Sequence, residues 1–284
     1  MSLVKAIDLL KKADELNTSV IAFICIDYNM VASVIKAAER KNTPAIVMLL
    51  PEHVTLNKAA DFKEFANMVK AMAEDASVPI ALHLDHSFAE EEVYRAIDAG
   101  FTSVMFDASR FELEENIRRT KAIVEYAHAR GVSVEAELGS VGLAKDKANE
   151  VEDFFTKPEA VEKFCTETGV DSLAIAIGNA HGDYPLPPKL DLARLDEINS
   201  ITDVALVLHG GSGIPDEQLV EAFSRGINKF NYGTDVLRCY DQAIRRYHEE
   251  HQPATSLDVL GIPEYVQNAM TDFICKKMEL CKFN

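Results

Sequence analysis

Eight short runs of β-branched and other apolar residues, each followed by a longer amphipathic stretch, constrain the fold of this chain most. The predicted strands are 19–26, 44–50, 79–84, 103–107, 132–138, 172–177, 204–209 and 227–231. The predicted helices are 29–41, 60–76, 88–99, 111–129, 158–168, 191–199, 215–225 and 234–249. In the third helix, Val93, Ala96 and Ile97 recur with helical spacing. Ser87 and Asp216 are the predicted start signals of the third and seventh helices.

Strands that alternate with helices form parallel sheets, because a parallel pair needs a long crossover and a helix supplies it. Eight such units over roughly 250 residues predict an α/β fold closed into a (β/α)8 TIM barrel. The alternative, an open doubly wound sheet, would need a glycine-rich turn after the first strand, where this chain reads IDYNM. We therefore expect one domain over 1–284, with the barrel at about 19–250. A C-terminal extension, 251–284, carries an extra helix at about 264–281.

Charge and composition exclude several classes of function. The chain has 46 acidic and 29 basic residues, with a formal net charge of −17, which disfavours binding to nucleic acid or to anionic membranes. It shows no basic-then-apolar leader and no apolar run near the roughly 18 residues of a membrane span. Its five cysteines have no CxxC spacing, so free thiols are expected. These features predict a soluble, cytoplasmic protein.

Three of the eight histidines follow predicted strands at the same end of the barrel. His86 lies in HLDHS (83–87), His181 in GNAHGDY (178–184) and His209 in LHGGSG (208–213). Functional groups of (β/α)8 enzymes lie at the carboxyl ends of the strands, whereas a lone histidine at a strand end is usually structural. Three converging imidazoles with carboxylates nearby predict a zinc site with one position open for substrate.

Other titratable residues lie on the same strands. Asp107 ends the fourth strand and Glu137 lies on the fifth, where they are either salt-bridge partners or a second metal position. His83 should point into the barrel wall or support a metal ligand. The remaining histidines are predicted to lie on the surface: His53, His128, His248 and His251.

Glycine-rich segments follow the last two predicted strands. Gly210, Gly211, Ser212 and Gly213 follow the seventh strand, and 231–234 follows the eighth. In barrels these two loops commonly bind phosphate through backbone N–H groups and hydroxyls. Glycine lets the backbone approach the anion without a Cβ in the way. An acidic protein could therefore hold an anionic substrate with amide dipoles and a metal ion.

Five segments together resemble the class II fructose-bisphosphate and tagatose-bisphosphate aldolases. They are HLDHS, EAELG (135–139), DSLAIAIGNAHGDY (171–184), LVLHGGSGIP (206–215) and NYGTD (231–235). The resemblance extends over roughly 19–250. It implies a zinc-dependent aldolase of carbohydrate metabolism, such as glycolysis, that cleaves a phosphorylated ketose to dihydroxyacetone phosphate and an aldehyde. We also expect a homo-oligomer, a dimer or tetramer, because the last helix and its tail carry many apolar residues.

The resemblance also implies roles for individual residues. His86, His181 and His209 would hold the catalytic zinc ion, and Asp85 would be the general acid/base. Asp107 and Glu137 would line an alternative or second cation position, divalent or monovalent. The residues implied to bind the dihydroxyacetone phosphate half are Gly182, Gly210, Gly211, Ser212, Asn231, Tyr232, Gly233 and Thr234.

The chain departs from the family where the pocket faces the second fragment. Lys145 replaces a loop glutamate of the family, and Pro185 stands where many relatives have a small or basic residue. The identity of the ketose phosphate therefore stays open. Two alternatives keep the fold: an epimerase or hydrolase with the same metal, or a non-catalytic accessory subunit. An accessory subunit would not need the three histidines and Asp85.

Overall fold

A closed barrel of eight parallel strands forms the centre of the molecule. The structure is a computed structural model that describes residues 3–57, 61–142, 154–185, 188–251 and 255–283. The strands neighbour one another in sequence order, and β8 pairs with β1 to close the barrel. They are β1 Val20–Ile24, β2 Ala45–Leu49, β3 Ile80–Ser87, β4 Ser103–Phe106, β5 Ser133–Leu138, β6 Ser172–Ile175, β7 Ala205–Leu208 and β8 Ile227–Tyr232. This confirms the predicted (β/α)8 class.

Helices follow the strands and surround the barrel. They are α1 Ala6–Glu15, α2 Tyr28–Lys41, α3 Pro51–Asn57, α4 Phe62–Glu74, α5 Glu90–Ala99, α6 Leu113–His128, α7 Pro158–Thr168, α8 Leu192–Ile201, α9 Asp216–Ser224, α10 Thr234–Glu250 and α11 Ile262–Met278. The sequence pattern missed α1 and the short α3. No helix in the described part of the chain is long and apolar enough to cross a membrane.

Local sequence signals set several helix ends. The side chains of Asp27, Asp61 and Asp191 each accept a hydrogen bond from a backbone N–H in the first turn of α2, α4 and α8. The prediction that Ser87 starts α5 is wrong, because β3 continues through Ser87. Its hydroxyl donates to the Ala89 carbonyl and to Glu92 instead.

The C-terminal helix packs on the outside of the barrel, mainly against α2 and α10. Its residues Val266, Met270 and Ile274 are fully buried. Gln267 accepts a hydrogen bond from Lys36 Nζ at 2.6 Å and donates one to Asn29 Oδ1 at 2.9 Å. The apolar side chains that suggested an oligomer interface thus have partners within the chain.

Polar residues form a layer across the barrel interior, below its carboxyl-terminal rim. His83 of β3, Glu135 of β5 and Lys229 of β8 contact one another there, and all three are buried. Pairing in register places Ser103 beside His83 and Ser172 beside Glu135. The barrel therefore supports its upper rim with charged and polar groups where an apolar filling is usual.

Candidate active site

A pocket opens at the carboxyl ends of the strands, with a cavity volume of about 410 Å³. Its lining includes the predicted polar residues Asp85, His86, Asp107 and His181. Apolar side chains also line it: Ile24, Met48, Leu50, Phe88 and Leu237. The pocket therefore combines titratable groups with apolar surface.

The structure brings together the three histidines that the sequence placed at strand ends. The ring centroid of His86 lies 4.7 Å from that of His181 and 4.6 Å from that of His209. Each of the three offers a ring nitrogen, and these nitrogens lie within 4.8 Å of one another. His209 Nδ1 and His86 Nε2 are 2.7 Å apart. The three side chains thus face a common point.

Carboxylates hold two of these rings in place. Asp107 Oδ2 lies 3.0 Å from His86 Nδ1, and Glu135 Oε1 lies 2.8 Å from His209 Nε2. A carboxylate accepts hydrogen bonds only, so each of these ring nitrogens carries a proton and donates it. The other nitrogen of each ring points towards the common point. This is the usual arrangement of metal-binding histidines.

The donor set fits a divalent metal ion. His181 Nε2 and Glu137 Oε2 are buried and have no hydrogen-bond partner among the described residues. His86, Asp107 and Glu137 also bring ligand atoms within 4.8 Å of one another. Imidazole nitrogens with carboxylate oxygens suit zinc and similar ions. An ion would satisfy polar atoms that the protein leaves without partners.

The electrostatics of the site favour a positive charge at the same point. Burial lowers the pKa of His86, but Asp85, Asp107 and Glu137 outweigh it and raise that pKa to about 10. Burial and the nearby imidazoles lower the pKa of His181 to about 3. Burial and then the charge of Asp107 raise the pKa of Glu137 to about 7. The surrounding carboxylates thus keep a proton on the His86 ring, at the point where a metal cation would be stabilised.

An irregular backbone lets two consecutive residues face the pocket. Successive side chains of a strand point to opposite faces, so Asp85 and His86 would normally diverge. The pairing of β3 with β4 shifts register between Leu84 and Ser87, and His86 has a φ of 29°. Asp85 and His86 consequently both line the pocket.

Asp85 is buried and oriented by its neighbour across the barrel. Its Oδ1 accepts a hydrogen bond from Asn231 Nδ2 at 3.0 Å. Burial would raise the pKa of Asp85, but the nearby His86, His209 and Lys229 outweigh burial and lower it. Asp85 is therefore ionised at neutral pH and can accept a proton.

The loops after β7 and β8 form a second part of the pocket, and the packing behind the first of them leaves no room for a Cβ at two glycines. An added Cβ at Gly210, where φ is 64°, would lie 2.0 Å from the carbonyl oxygen of Ala180. At Gly211 it would lie 1.8 Å from the Phe230 ring. Ser212 Oγ accepts from the backbone N–H of Asp235, in the first turn of α10. Glycine backbone beside a helix N-terminus can bind an anion such as phosphate.

Of the eight predicted phosphate-binding residues, seven line this pocket: Gly182, Gly210, Gly211, Ser212, Asn231, Gly233 and Thr234. Tyr232 does not present its side chain there. Its ring is buried against Phe230 and Phe273, and its hydroxyl donates to Asp235. Neighbouring residues of a strand face opposite sides, so the Tyr232 side chain points away from the pocket that Asn231 lines, and only its backbone is left for the predicted role.

Sequence reasoning missed three residues at the site. His53, predicted to be on the surface, lines the pocket from α3, and its Nδ1 is buried without a partner among the described residues. Tyr184 connects two loops, because its hydroxyl donates to the Gly210 carbonyl at 2.9 Å and accepts from Ala180 N–H. Lys229 lies below the histidines. His53 could have been expected near the site because it lies shortly after the carboxyl end of β2. Lys229 could have been expected inside the barrel because it is two residues from Asn231 on the same strand.

The structure also locates most of the other histidines and the cysteines named in the sequence analysis. His128, His248 and His251 are exposed, as predicted. His83 is buried inside the barrel, also as predicted, with Nδ1 2.8 Å from Ser103 Oγ. The five cysteines are free thiols. Lys145 lies outside the described residues.

Comparison with known proteins identifies close relatives. Residues 4–284 match the family profile described as "Fructose-bisphosphate aldolase class-II". A fructose-bisphosphate aldolase of Geobacillus stearothermophilus is 42% identical over 247 residues, which cover 86% of this chain and 85% of that protein.

Solved structures agree. The YdjI aldolase of Escherichia coli K12 superposes with a TM-score of 0.86 at 32% identity, over 98% of this chain and 97% of that one. A putative fructose-1,6-bisphosphate aldolase of Coccidioides immitis has a TM-score of 0.86 at 34% identity, over 98% and 96% of the two chains.

Proposed function

This chain belongs to the class II fructose-bisphosphate aldolases, and we propose that it reversibly cleaves a phosphorylated ketose to dihydroxyacetone phosphate and an aldehyde. One observation carries the proposal. Three imidazoles that converge on one point share a pocket with the glycine backbone of the loops after β7 and β8. The first feature suits a metal ion and the second a phosphate group.

We assign the metal ion, zinc or a similar divalent cation, to His86, His181 and His209. Asp107 and Glu137 offer an alternative position on the His86 side of the site. When bound, the ion supplies a Lewis acid for the ketose carbonyl and for the negative charge that develops during cleavage. Asp107 and Glu135 hold the rings of His86 and His209 in the orientation that this role requires.

Asp85 is assigned as the general acid/base. In the cleavage direction, its carboxylate accepts the proton of the C4 hydroxyl as the C3–C4 bond breaks and an aldehyde forms. In condensation, it returns that proton to the aldehyde oxygen. The hydrogen bond from Asn231 fixes one carboxylate oxygen and leaves the other for substrate. A positioned acid/base of this kind contributes about 10²–10⁴-fold to the rate.

The phosphate of the dihydroxyacetone half is assigned to the loops after β7 and β8. Backbone N–H groups of Gly210, Ser212 and Thr234 would bind it. The N–H groups of Gly211 and Asp235 already donate to the Asn231 carbonyl and to Ser212 Oγ. Because the net charge of the chain is −17, such dipoles supply locally the attraction that the surface as a whole lacks. Tyr184 fixes the geometry of the first loop through its bonds to Gly210 and Ala180.

The test is a panel of ketose monophosphates and bisphosphates, with fructose 1,6-bisphosphate and tagatose 1,6-bisphosphate included. Release of dihydroxyacetone phosphate, coupled to its reduction by NADH, measures cleavage before and after chelation and zinc addition. We expect metal-dependent cleavage of at least one ketose phosphate. Metal binding without any retro-aldol activity would favour an epimerase or hydrolase. Absence of both metal and activity would favour an accessory subunit.

A further inference from the structure

A buried lysine lies directly below the histidine cluster, in the polar layer of the barrel. The Lys229 side chain has no exposed surface, and that of Glu135 is 1% exposed. Lys229 Nζ lies 2.8 Å from Glu135 Oε2 and 3.2 Å from His83 Nε2. Ser172 Oγ donates to the same Glu135 oxygen at 3.3 Å. The amino group of Lys229 is thus enclosed by polar partners.

The other oxygen of Glu135 connects this pair to the active site. Glu135 Oε1 lies 2.8 Å from His209 Nε2, and neither side chain is more than 1% exposed. An ionised Glu135 can only accept, so His209 carries its proton on Nε2. The lone pair of His209 then lies on Nδ1, which faces His86 at the proposed metal position.

Lys229 keeps this arrangement in place. Its Nζ and Ser172 Oγ both bind Glu135 Oε2, so the other carboxylate oxygen stays directed at His209 Nε2. Without the contact to Lys229 the Glu135 side chain is free to turn, and no fixed acceptor then holds the proton of His209 on Nε2. Ligand atoms of His83, Asp85 and Glu135 also lie within 4.8 Å of one another. The Lys229 amino group lies beside this cluster, where it contacts both Glu135 and His83.

We propose that Lys229 is a positioning residue that, through Glu135, selects the His209 tautomer able to bind the metal ion. This inference rests on the proposed metal site and adds a residue to its supporting contacts. Lys229 touches neither the pocket nor substrate. Its effect is therefore on metal affinity, and contacts of this kind typically change it by about 10–100-fold.

The experiment compares Lys229→Met and Glu135→Gln with the parent. Asn228→Ala is the matched control, because Asn228 is also buried on β8 but bonds to Leu206 N–H and Asp14 instead. Competition with a chromophoric chelator measures zinc affinity. NMR of protein with ¹⁵N-labelled histidine measures the tautomer of His209 in the metal-free state. Thermal melting of the metal-free proteins monitors folding.

We expect zinc affinity about 10–100-fold weaker in Lys229→Met and Glu135→Gln, and unchanged in Asn228→Ala. The fraction of His209 that carries its proton on Nε2 should fall in both variants, because the carboxylate acceptor is no longer held in place in one and is absent in the other. If Lys229→Met does not fold, Glu135→Gln decides the question alone. Parent-like affinity and tautomer in the folded variants would overturn the inference while leaving the metal site intact. If the parent binds no zinc, the metal site itself is wrong and the inference fails with it.

Discussion

Gly211 and Gly233 provide a matched pair of substitutions in the proposed phosphate loops. In Gly211→Ala, the new methyl carbon would lie 1.8 Å from Phe230 Cε2 and 2.1 Å from Cζ. The ring must retreat to ordinary contact at 3.4 Å or beyond, yet it is fully buried between Phe223 and Tyr232, with centroids 5.6 Å away on both sides. Overpacking of this kind costs about 1–3 kcal/mol. At about 2–4 °C per kcal/mol in larger domains, the melting temperature should fall by roughly 2–12 °C.

Gly233→Ala should behave differently, because a Cβ there meets nothing within 4 Å and no positive φ opposes it. Its stability should change by less than about 0.5 kcal/mol. If phosphate binds beside Gly233, however, the methyl group will hinder it and raise KM for the phosphorylated ketose. Calorimetry and steady-state kinetics on both variants give the two readouts. Parent-like melting of Gly211→Ala would refute the steric argument, and parent-like KM of Gly233→Ala would refute the phosphate assignment.

The remaining predictions concern the metal, the acid/base, specificity and assembly. His181→Ala should lose bound zinc and activity but keep its circular dichroism; a full zinc complement by elemental analysis would contradict the ligand assignment. Asp85→Asn should retain zinc yet lose about 10²–10⁴-fold in kcat, so near-normal turnover would place the proton transfer elsewhere. Lys145→Glu should change the ranking of neutral and anionic aldehyde acceptors, and an unchanged ranking would make Lys145 a bystander. Although the last helix packs within the chain, Leu257, Val259 and Leu260 stay exposed, so light scattering should still give a dimer or tetramer mass; a monomer at micromolar concentration would count against it.

The barrel could be predicted from the sequence because the same strand–helix pattern repeats along the chain. Eight strand–helix units in order leave few topologies, and the carboxyl ends of parallel strands must meet on one rim. His86, His181 and His209 could be placed together from that rule alone, before any contact was known. Exact bounds were less accessible, since β3 runs three residues beyond its predicted end at 84. That extension depends on pairing with β4, which local propensity does not encode.

What the sequence did not reveal depends on side-chain direction and on contacts distant in sequence. Tyr232 was grouped with its neighbours by position in a loop motif, but its side chain belongs to β8 and faces the helices. His53 was assigned to the surface because the short α3 was not recognised. Lys229 was overlooked because lysine is almost never fully buried unless paired, and its partner Glu135 lies 94 residues away in sequence. Long-range charge pairs of this kind become visible only when the barrel is closed.

The register shift at Leu84 to Ser87 has a consequence for anyone who transplants this site onto another barrel. Main-chain geometry sets the distance between Asp85, the proposed acid/base, and the His86 ring. Copying these two residues onto a regular strand would therefore direct one of them outward. Position 86 must also tolerate a φ of 29°, a region that histidine, asparagine and aspartate enter more readily than β-branched residues do. A designer who wants a different ligand there has few side chains to choose from. The irregular strand is therefore part of the transferable unit, together with the residues it carries.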